Sequence, residues 1–402
     1  MPYYRRNIYV LAVTIFLAGV SWNQIVPFLP LFMRQIGVQS HFYEWVGFVF
    51  AAQSIASILA MPLWGKLGDS YGRKPMIIRA GICLAGIYFG MSFCRTAWQL
   101  ALCRFLNGAL TGFIPSSFAL IATNTPEKLA PRYVAAALSA SNAGLIVGPA
   151  FGAFLASATG YRVSMQWSGA AVVLSTILVW WLVSEPNKVQ PTEKTSLVQD
   201  FGISVRSPIQ LSVMFAVMLS WAFGAAISPY LAVHLQDMGV RQGDFLAYTV
   251  YSLPAVAFVL SAQAWTRFGE RQGYDRGIFL GLIGGAAGAV SLVFAHSVWF
   301  FALLYFLAGL WLSALSPSVG AITCTEVEQG FRARAYGIQQ SAGTLGALVA
   351  PLIAGALADR WGIPAIFIFV GAAFFAGAFI FRALAARWAR KPGIKRQLPD
   401  PE

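Results

Sequence analysis

A ten-residue run at 65–74 combines glycines with opposite charges at a spacing that suits a tight corner between two helices. It reads G-K-L-G-D-S-Y-G-R-K, and its notable members are Gly65, Asp69, Gly72, Arg73 and Lys74. Glycine lets the backbone bend or pack closely, and the opposite charges can bridge neighbouring helix ends. A weaker copy, T-R-F-G-E-R-Q-G-Y-D-R at 266–276, keeps the acid as Glu270 but has threonine at the first glycine position. The same kind of corner therefore occurs twice in the chain.

A second pattern is formed by Gly144, Gly148 and Gly152, which lie four residues apart, with Pro149 directly after the second glycine. In a helix, glycines at this spacing form a flat strip that lets another helix approach closely, and proline bends or stiffens the segment. Ordinary helix packing would also explain such a strip. The pattern predicts a close helix pair, in either a functional or a purely packing role.

Arg104 is the one charged residue that lies well inside an apolar stretch. A charge at that depth costs about 2.5–3.5 kcal/mol or more and is usually retained for a task or a partner. Arg104 also lies about two turns from the end of its stretch, so its side chain could instead extend to the lipid headgroups. We favour a role in substrate binding or proton coupling, shared with uncharged polar residues of the apolar stretches: Asn23, Gln24, Gln53 and Asn107.

Acidic residues give a weaker signal. A carboxylate inside the membrane can alternate between a proton and a substrate, but every Asp and Glu here lies at a predicted helix end or in a loop. Glu326 and Glu328, at the end of the tenth predicted span, are the nearest candidates for proton coupling. An interpretation as loop charges is the simpler one for both.

The elements that must position these residues follow from composition. The chain has 402 residues, of which 58% are hydrophobic and 11% charged, and a mean hydropathy of +0.65. A soluble fold needs more charge than this on its exterior, so lipid must be the solvent. Apolar runs of about 20 residues indicate spanning helices and an all-α membrane protein. Twelve spans are predicted, at 8–32, 45–64, 75–93, 98–122, 133–158, 163–184, 209–235, 246–265, 277–296, 298–323, 335–358 and 363–386.

The net charge of +13 follows from membrane topology and does not indicate nucleic-acid binding. If the N-terminus is cytoplasmic, about 22 Lys and Arg fall on the cytoplasmic side and about 5 outside, as the positive-inside rule requires. We therefore expect both termini in the cytoplasm of a bacterium, with the protein in its inner membrane.

Motifs of catalysis and metal binding are missing from the sequence. The three histidines lie far apart, the four cysteines match no zinc or redox spacing, and neither a G-x-S-x-G run nor a Walker A loop occurs. We expect no enzyme activity, no metal and no cofactor.

The chain consists of two similar halves. A shift of about 201 or 202 residues places Trp64 on Trp265, Gly108 on Gly309 and Pro149 on Pro351. Because each copy has an even number of helices, six, both copies begin on the same side of the membrane. We expect a cavity between them near the midplane. We assign an N-terminal six-helix bundle to 1–184, a cytoplasmic linker to 185–207, a C-terminal bundle to 208–390 and a cytoplasmic tail to 391–402.

The corner at 65–74 resembles the signature loop of the major facilitator superfamily, G-x-L-x-D-x-x-G-R-[RK]. The glycine–proline strip resembles the antiporter motif of its drug:proton antiporters, G-x-x-x-G-P-x-x-G-G, and departs from it at Ala153. Arg104 and Gly108 fit the R-x-x-x-G motif of helix 4, and Phe113-Ile-Pro-Ser resembles MdtG-like multidrug-resistance exporters. The resemblance implies the major facilitator fold of 12 helices in two pseudo-symmetric bundles. It also implies that Asp69 and Arg73 gate the cytoplasmic side, with the Asp near a helix N-terminus of the other half.

The resemblance implies export of drug-like or amphiphilic small molecules by a secondary active transporter. Coupling to protons is implied by the family alone, because no carboxylate stands at mid-membrane. A permease for uptake of a small metabolite is the second hypothesis, and a membrane-embedded enzyme or receptor is the third. The expected partners are a small-molecule substrate, protons and the lipid bilayer, and the expected oligomeric state is a monomer.

Overall fold

The computed structural model describes residues 2–126, 128–186, 197–240, 245–328 and 331–389. Within these ranges the regular elements are sixteen α-helices and a short 3-10 helix at Leu292–Phe294. The α-helices, numbered along the chain, are α1 (Tyr3–Ile25), α2 (Leu29–Gln35), α3 (Phe42–Tyr71), α4 (Arg73–Phe93), α5 (Ala97–Leu110), α6 (Phe113–Thr123), α7 (Ala130–Thr159), α8 (Tyr161–Leu182), α9 (Leu197–Arg206), α10 (Pro208–Asp237), α11 (Phe245–Gln272), α12 (Tyr274–Ser291), α13 (Val298–Leu312), α14 (Leu315–Glu326), α15 (Arg332–Trp361) and α16 (Pro364–Ala389).

The helices confirm the predicted fold class. In the described residues, eleven helical stretches are long and apolar enough to cross a membrane. The helix α11, 28 residues long, occupies the place of the eighth predicted span. Each of the twelve predicted spans therefore corresponds to a helix or to a pair of helices in series.

Three predicted spans are interrupted, which corrects the expectation of continuous helices; the tenth breaks at residues 313–314, between α13 and α14. The first breaks at residues 26–28, between α1 and α2, because Pro27 and Pro30 lack the amide hydrogen that an uninterrupted helix needs there. The fourth breaks between α5 and α6, where Gly112 has a φ angle of 135°. Residues that carry a side chain rarely adopt this φ angle, so the break depends on glycine.

The internal repeat is visible in backbone and side-chain detail. The indole of Trp64 donates a hydrogen bond to Ala109 O at 2.5 Å, and that of Trp265 donates one to Leu310 O at 2.8 Å. Three pairs of glycines with positive φ recur at matching places in the halves: Gly37 and Gly239, Gly72 and Gly273, Gly160 and Gly362. The two halves therefore share their corners as well as their spans.

The glycine–proline strip packs α7 against α1. A Cβ atom at Gly144 would lie 2.9 Å from Phe16 O, and one at Gly148 would lie 2.8 Å from the Cβ atom of Asn23. Gly152 lies against the same helix. These separations are too short for any side chain, so the strip is what allows the two helices to touch.

The connection between the halves contains a helix that we did not predict. Its second part, Leu197–Arg206, forms α9, whereas residues 187–196 lie outside the described part of the chain, as do residue 390 and the predicted tail, 391–402. The assigned domain boundaries remain a prediction.

We predict that Gly148→Leu separates α1 from α7 and destabilises the protein by about 1–3 kcal/mol, the usual cost of overpacking. Leak of solutes or loss of transport, with unchanged substrate choice, is the expected consequence. Thermal unfolding in detergent and transport in vesicles measure both. Gly86→Leu is the matched control, because Gly86 is exposed and no atom lies within 4 Å of its Cβ position. Wild-type behaviour of the Gly148 variant would leave the strip without a role in packing or transport.

Candidate functional site

The bundle has two ends, which we call the terminal face and the opposite face. The terminal face holds the start of α1 and the end of α8, joined by hydrogen bonds from the side chains of Arg6 and Asn7 to Ser184, both 2.7 Å long. The opposite face holds the start of α3 and the end of α15. Two helix N-termini, one at each face, are capped by a carboxylate from elsewhere in the chain.

At the opposite face, Asp359 of α15 caps the N-terminus of α3. Its carboxylate accepts the backbone N–H of Tyr43 at 3.1 Å and that of Glu44 at 3.0 Å. A carboxylate is stabilised there by the orphan amides and by the positive end of the helix dipole. Because α3 belongs to the first half and α15 to the second, this cap joins the halves.

Tyr230 and two glycines complete the contact at the opposite face. The Tyr230 hydroxyl lies 2.9 Å from Pro351 O and 3.2 Å from Tyr43 O, and it donates to these two carbonyls. Gly47 faces Pro351 and Gly355 faces Tyr43, each so closely that a Cβ atom would collide with the carbonyl oxygen. The backbones of α3 and α15 therefore meet without side chains between them.

Nearer the midplane, Ser252 of α11 donates a hydrogen bond to Ile146 O of α7 at 2.6 Å. This contact also joins the two halves.

At the terminal face, the predicted gate corner is bound to its own half. The carboxylate of Glu185 accepts the backbone N–H of Arg73 at 2.7 Å and that of Lys74 at 2.8 Å, and so caps α4. The Lys74 ammonium donates to Trp180 O at 2.8 Å. Gly72 has a φ angle of 102°, and a Cβ atom there would lie 2.9 Å from Glu185 Oε2. The corner needs glycine for both reasons.

Three other residues were predicted to belong to the gate: Gly65, Asp69 and Glu270. The surroundings of Gly65 and the side chain of Asp69 lie outside what the structure describes. Glu270, in the second copy of the corner, is exposed near the end of α11. The assignment of these residues to a gate remains a prediction.

A buried polar cluster lies where α5 packs on α3, and we call it the α5 cluster: Gln53, Arg104 and Asn107. Arg104 is 6% exposed and Asn107 is fully buried. The guanidinium carbon of Arg104 lies 4.9 Å from the ring centroid of Phe50, one turn before Gln53. Arg104 Nε, both side-chain polar atoms of Asn107 and Gln53 Oε1 make no well-aligned hydrogen bond among the described residues, and the buried Tyr88 lies beside Arg104 and Asn107.

Unpartnered buried polar atoms cost about 1–3 kcal/mol each, so their presence calls for a ligand or water that satisfies them. The second half replaces the members of the α5 cluster, in order, by Pro254, Tyr305 and Ala308. The fold therefore requires neither a charge nor an amide side chain at these three positions. Burial also argues against extension of Arg104 to the headgroups.

The other predicted substrate or proton residues are not brought to the α5 cluster. Gln24 donates to Ser164 O at 3.2 Å and to the Ser168 hydroxyl, and thereby ties α1 to α8. Asn23 donates to Gly19 O of its own helix at 2.8 Å. These amides serve helix packing in the conformation observed.

The two predicted acids lie in the second half. Glu326 is the last residue of α14, and Glu328 is exposed directly after it. The carbonyl of Glu328 accepts the backbone N–H of Phe331 at 2.9 Å and of Arg332 at 3.1 Å, which starts α15. Both acids are therefore at a helix end, and neither lies beside Arg104.

The prediction that Arg104 is the one charged residue well inside an apolar stretch is wrong. Arg79 lies within α4, its guanidinium carbon is 3.2 Å from the ring centroid of Trp64, and Nη2 is 3.5 Å from Thr111 O. Sequence reasoning also missed the capping roles of Glu185 and Asp359. Sequence proximity could not reveal that Glu185 caps Arg73 and Lys74, because more than a hundred residues separate Glu185 from them.

Comparisons with known proteins agree with this architecture. The profile of the Major Facilitator Superfamily matches residues 11–280 and 246–402. The multidrug resistance protein MdtG of Proteus mirabilis is 27% identical over 377 residues, which cover 92% of this chain and 94% of that protein. MdtG of Salmonella arizonae is 28% identical over 388 residues, with 95% and 94% covered.

Solved structures show the same fold at low identity. A bacterial homologue of the human lysosomal transporter Spinster, in an inward-facing and occupied conformation, aligns with a TM-score of 0.82 and 13% identity, over 98% of this chain and all of that one. A nucleoside transporter aligns with a TM-score of 0.79 and 14% identity, over 94% and 99%. The two six-helix halves, the repeated corner and the profile match together lead to one conclusion: this chain is a multi-pass membrane transporter that belongs to the Major Facilitator Superfamily.

Proposed function

We propose that this chain exports drug-like or amphiphilic small molecules by alternating access, in exchange for protons. The observation that carries the proposal is the asymmetry of the two faces. The halves meet at the opposite face through the Asp359 cap, whereas at the terminal face Glu185 holds the gate corner within the first half. With both termini in the cytoplasm of a bacterial inner-membrane protein, this arrangement corresponds to an inward-facing state.

Alternating access requires that the contacts between the halves exchange. In the outward-facing state the Asp359 cap would break, and the terminal face would close through the corner at 65–74. Asp69, Gly72 and Arg73 are the residues that we assign to that closure, with Glu270 as the counterpart in the second half. Close approach at Gly72 is compatible with this role, because the corner carries no side chain there.

The α5 cluster is the substrate or coupling site that we favour. A guanidinium with an unpartnered Nε and an amide with two unpartnered atoms can bind an anionic or strongly polar group. Because Arg104 is permanently charged, it suits an acidic group of an amphiphilic solute or a carboxylate that alternates between protonated states. Asn23 and Gln24 belong to this site only if α1 moves during the cycle.

Export is favoured over uptake by two observations. Two relatives that align over more than 90% of this chain are named multidrug resistance proteins. The strip of Gly144, Gly148 and Gly152 packs closely against α1, and its sequence resembles the antiporter motif. We infer that the tight α1–α7 pair limits leakage while the rest of the bundle changes conformation.

The first prediction tests direction and coupling together. Cells that overproduce the chain should tolerate higher concentrations of a subset of amphiphilic toxic compounds than cells that lack it. In inverted membrane vesicles, an imposed pH gradient, acidic inside, should drive accumulation of the same compounds. Tolerance that falls on overproduction would indicate uptake, and accumulation that ignores the pH gradient would refute proton antiport.

The second prediction concerns Arg104. Lysine lacks the planar fork of arginine, so Arg104→Lys should lose most of the transport and Arg104→Ala nearly all of it, with normal amounts of protein in the membrane. Transport in inverted vesicles is the measurement. Arg95→Lys, on an exposed loop, is the matched control and should behave as wild type. Full activity of the Arg104→Lys variant would remove Arg104 from the site.

The third prediction concerns the Asp359 cap. Asp359→Asn removes the charge that the helix dipole stabilises, worth about 0.3–1 kcal/mol, and should shift the closed-to-open ratio at the opposite face about 2- to 5-fold. Spin labels at Arg95→Cys and His296→Cys, in a chain whose native cysteines are replaced, report that opening as a longer distance. Asp275→Asn, in the first turn of α12, is the control. Identical distance distributions for all three chains would show that the cap does not hold the halves together.

A further inference from the structure

A second set of side chains meets around the Asp359 cap. His41 and Glu44 come from the first half and Asp359 from the second, and one ligand atom of each lies within 4.8 Å of the other two. His41 Nδ1 lies 3.2 Å from Glu44 Oε2. Imidazole nitrogen with two carboxylates is a ligand set of zinc sites in proteins.

The cap itself does not account for this set. His41 precedes α3, but its side chain makes no capping hydrogen bond. Each Asp359 oxygen accepts one backbone N–H and retains a lone pair for another partner. The side chains of His41 and Glu44 are 73% and 45% exposed, so they are accessible from the solution at this face.

We propose that His41, Glu44 and Asp359 bind a divalent transition-metal ion of the Zn²⁺ class and that the bound ion holds the opposite face closed. Zn²⁺ binds His nitrogen and carboxylate oxygen at about 2.0–2.2 Å, which places ligand atoms about 3.4 Å apart in a tetrahedron. A shift of exposed side chains by about 1–2 Å brings the three into that geometry. Water takes the fourth position. Mg²⁺ and Ca²⁺ prefer sites made only of oxygen and are excluded.

Binding depends on conformation because the ligands come from different halves. When the opposite face opens, α15 moves away from α3 and Asp359 leaves the other two ligands. An ion that binds only the closed form shifts the equilibrium towards it. Zn²⁺ on this face, which we predict to be external, therefore inhibits transport. The inhibition rests on the proposed alternating access, whereas binding does not.

Calorimetry on the purified full chain tests binding without any transport assay. We expect ZnCl₂ to bind wild type at one site with micromolar affinity, and MgCl₂ not to bind. His41→Ala removes one of three ligands and should weaken Zn²⁺ binding by about tenfold or more. His296→Ala, an exposed histidine on another loop of the same face, should bind Zn²⁺ as wild type does. Absence of binding to wild type, or equal binding to the His41→Ala chain, refutes the site.

The spin-label pair at positions 95 and 296 tests the effect on conformation. Zn²⁺ should remove the long-distance component in the chain with His41 and leave it unchanged in His41→Ala. Both results are independent of substrate and of proton coupling. If Zn²⁺ binds in the calorimeter but the distance distribution does not change, the proposed closure by the ion is wrong.

Discussion

The two halves of this transporter meet at the opposite face around one carboxylate at one helix N-terminus. Asp359 of the second half accepts two backbone N–H groups at the start of α3 in the first half. A bond of this kind contributes about 0.5–2 kcal/mol, which biases an equilibrium without locking it. Gly47 and Gly355 bring the two backbones into contact around it, and the Tyr230 hydroxyl bridges them. The proposed alternating access requires that these contacts break and reform during a transport cycle.

The same chemistry is used differently at the terminal face. There Glu185 caps α4 from within its own half, and Gly72 leaves room for the carboxylate. The first cap joins the two halves, which the proposed alternating access would separate, whereas the second joins two segments of the same half. The position of the capping acid along the chain therefore decides whether the same interaction serves movement or rigidity.

Symmetry of the framework contrasts with asymmetry of the polar interior. Trp64 and Trp265 make equivalent hydrogen bonds, and the corners share glycines with positive φ. The α5 cluster has no counterpart, since the second half has proline, tyrosine and alanine at its three positions. Unpartnered buried polar atoms lower stability, so we propose that a ligand satisfies those of the α5 cluster. This reasoning directs attention to Arg104 and Asn107 rather than to the charges at helix ends.

Sequence alone determined the twelve spans, the duplication and the family, because hydropathy, glycine spacing and charge bias are local properties. It also identified Arg104, whose charge is conspicuous in an apolar stretch. The breaks at residues 26–28 and at Gly112 were missed, because proline and glycine are tolerated in many membrane helices and only packing decides where one bends. Tertiary structure alone decided that Gln24 serves packing, that Arg79 stacks on Trp64, and that His41 meets Asp359. A capping or metal-binding carboxylate is defined by the group that it faces, and more than 300 residues of chain separate Asp359 from the helix that it caps.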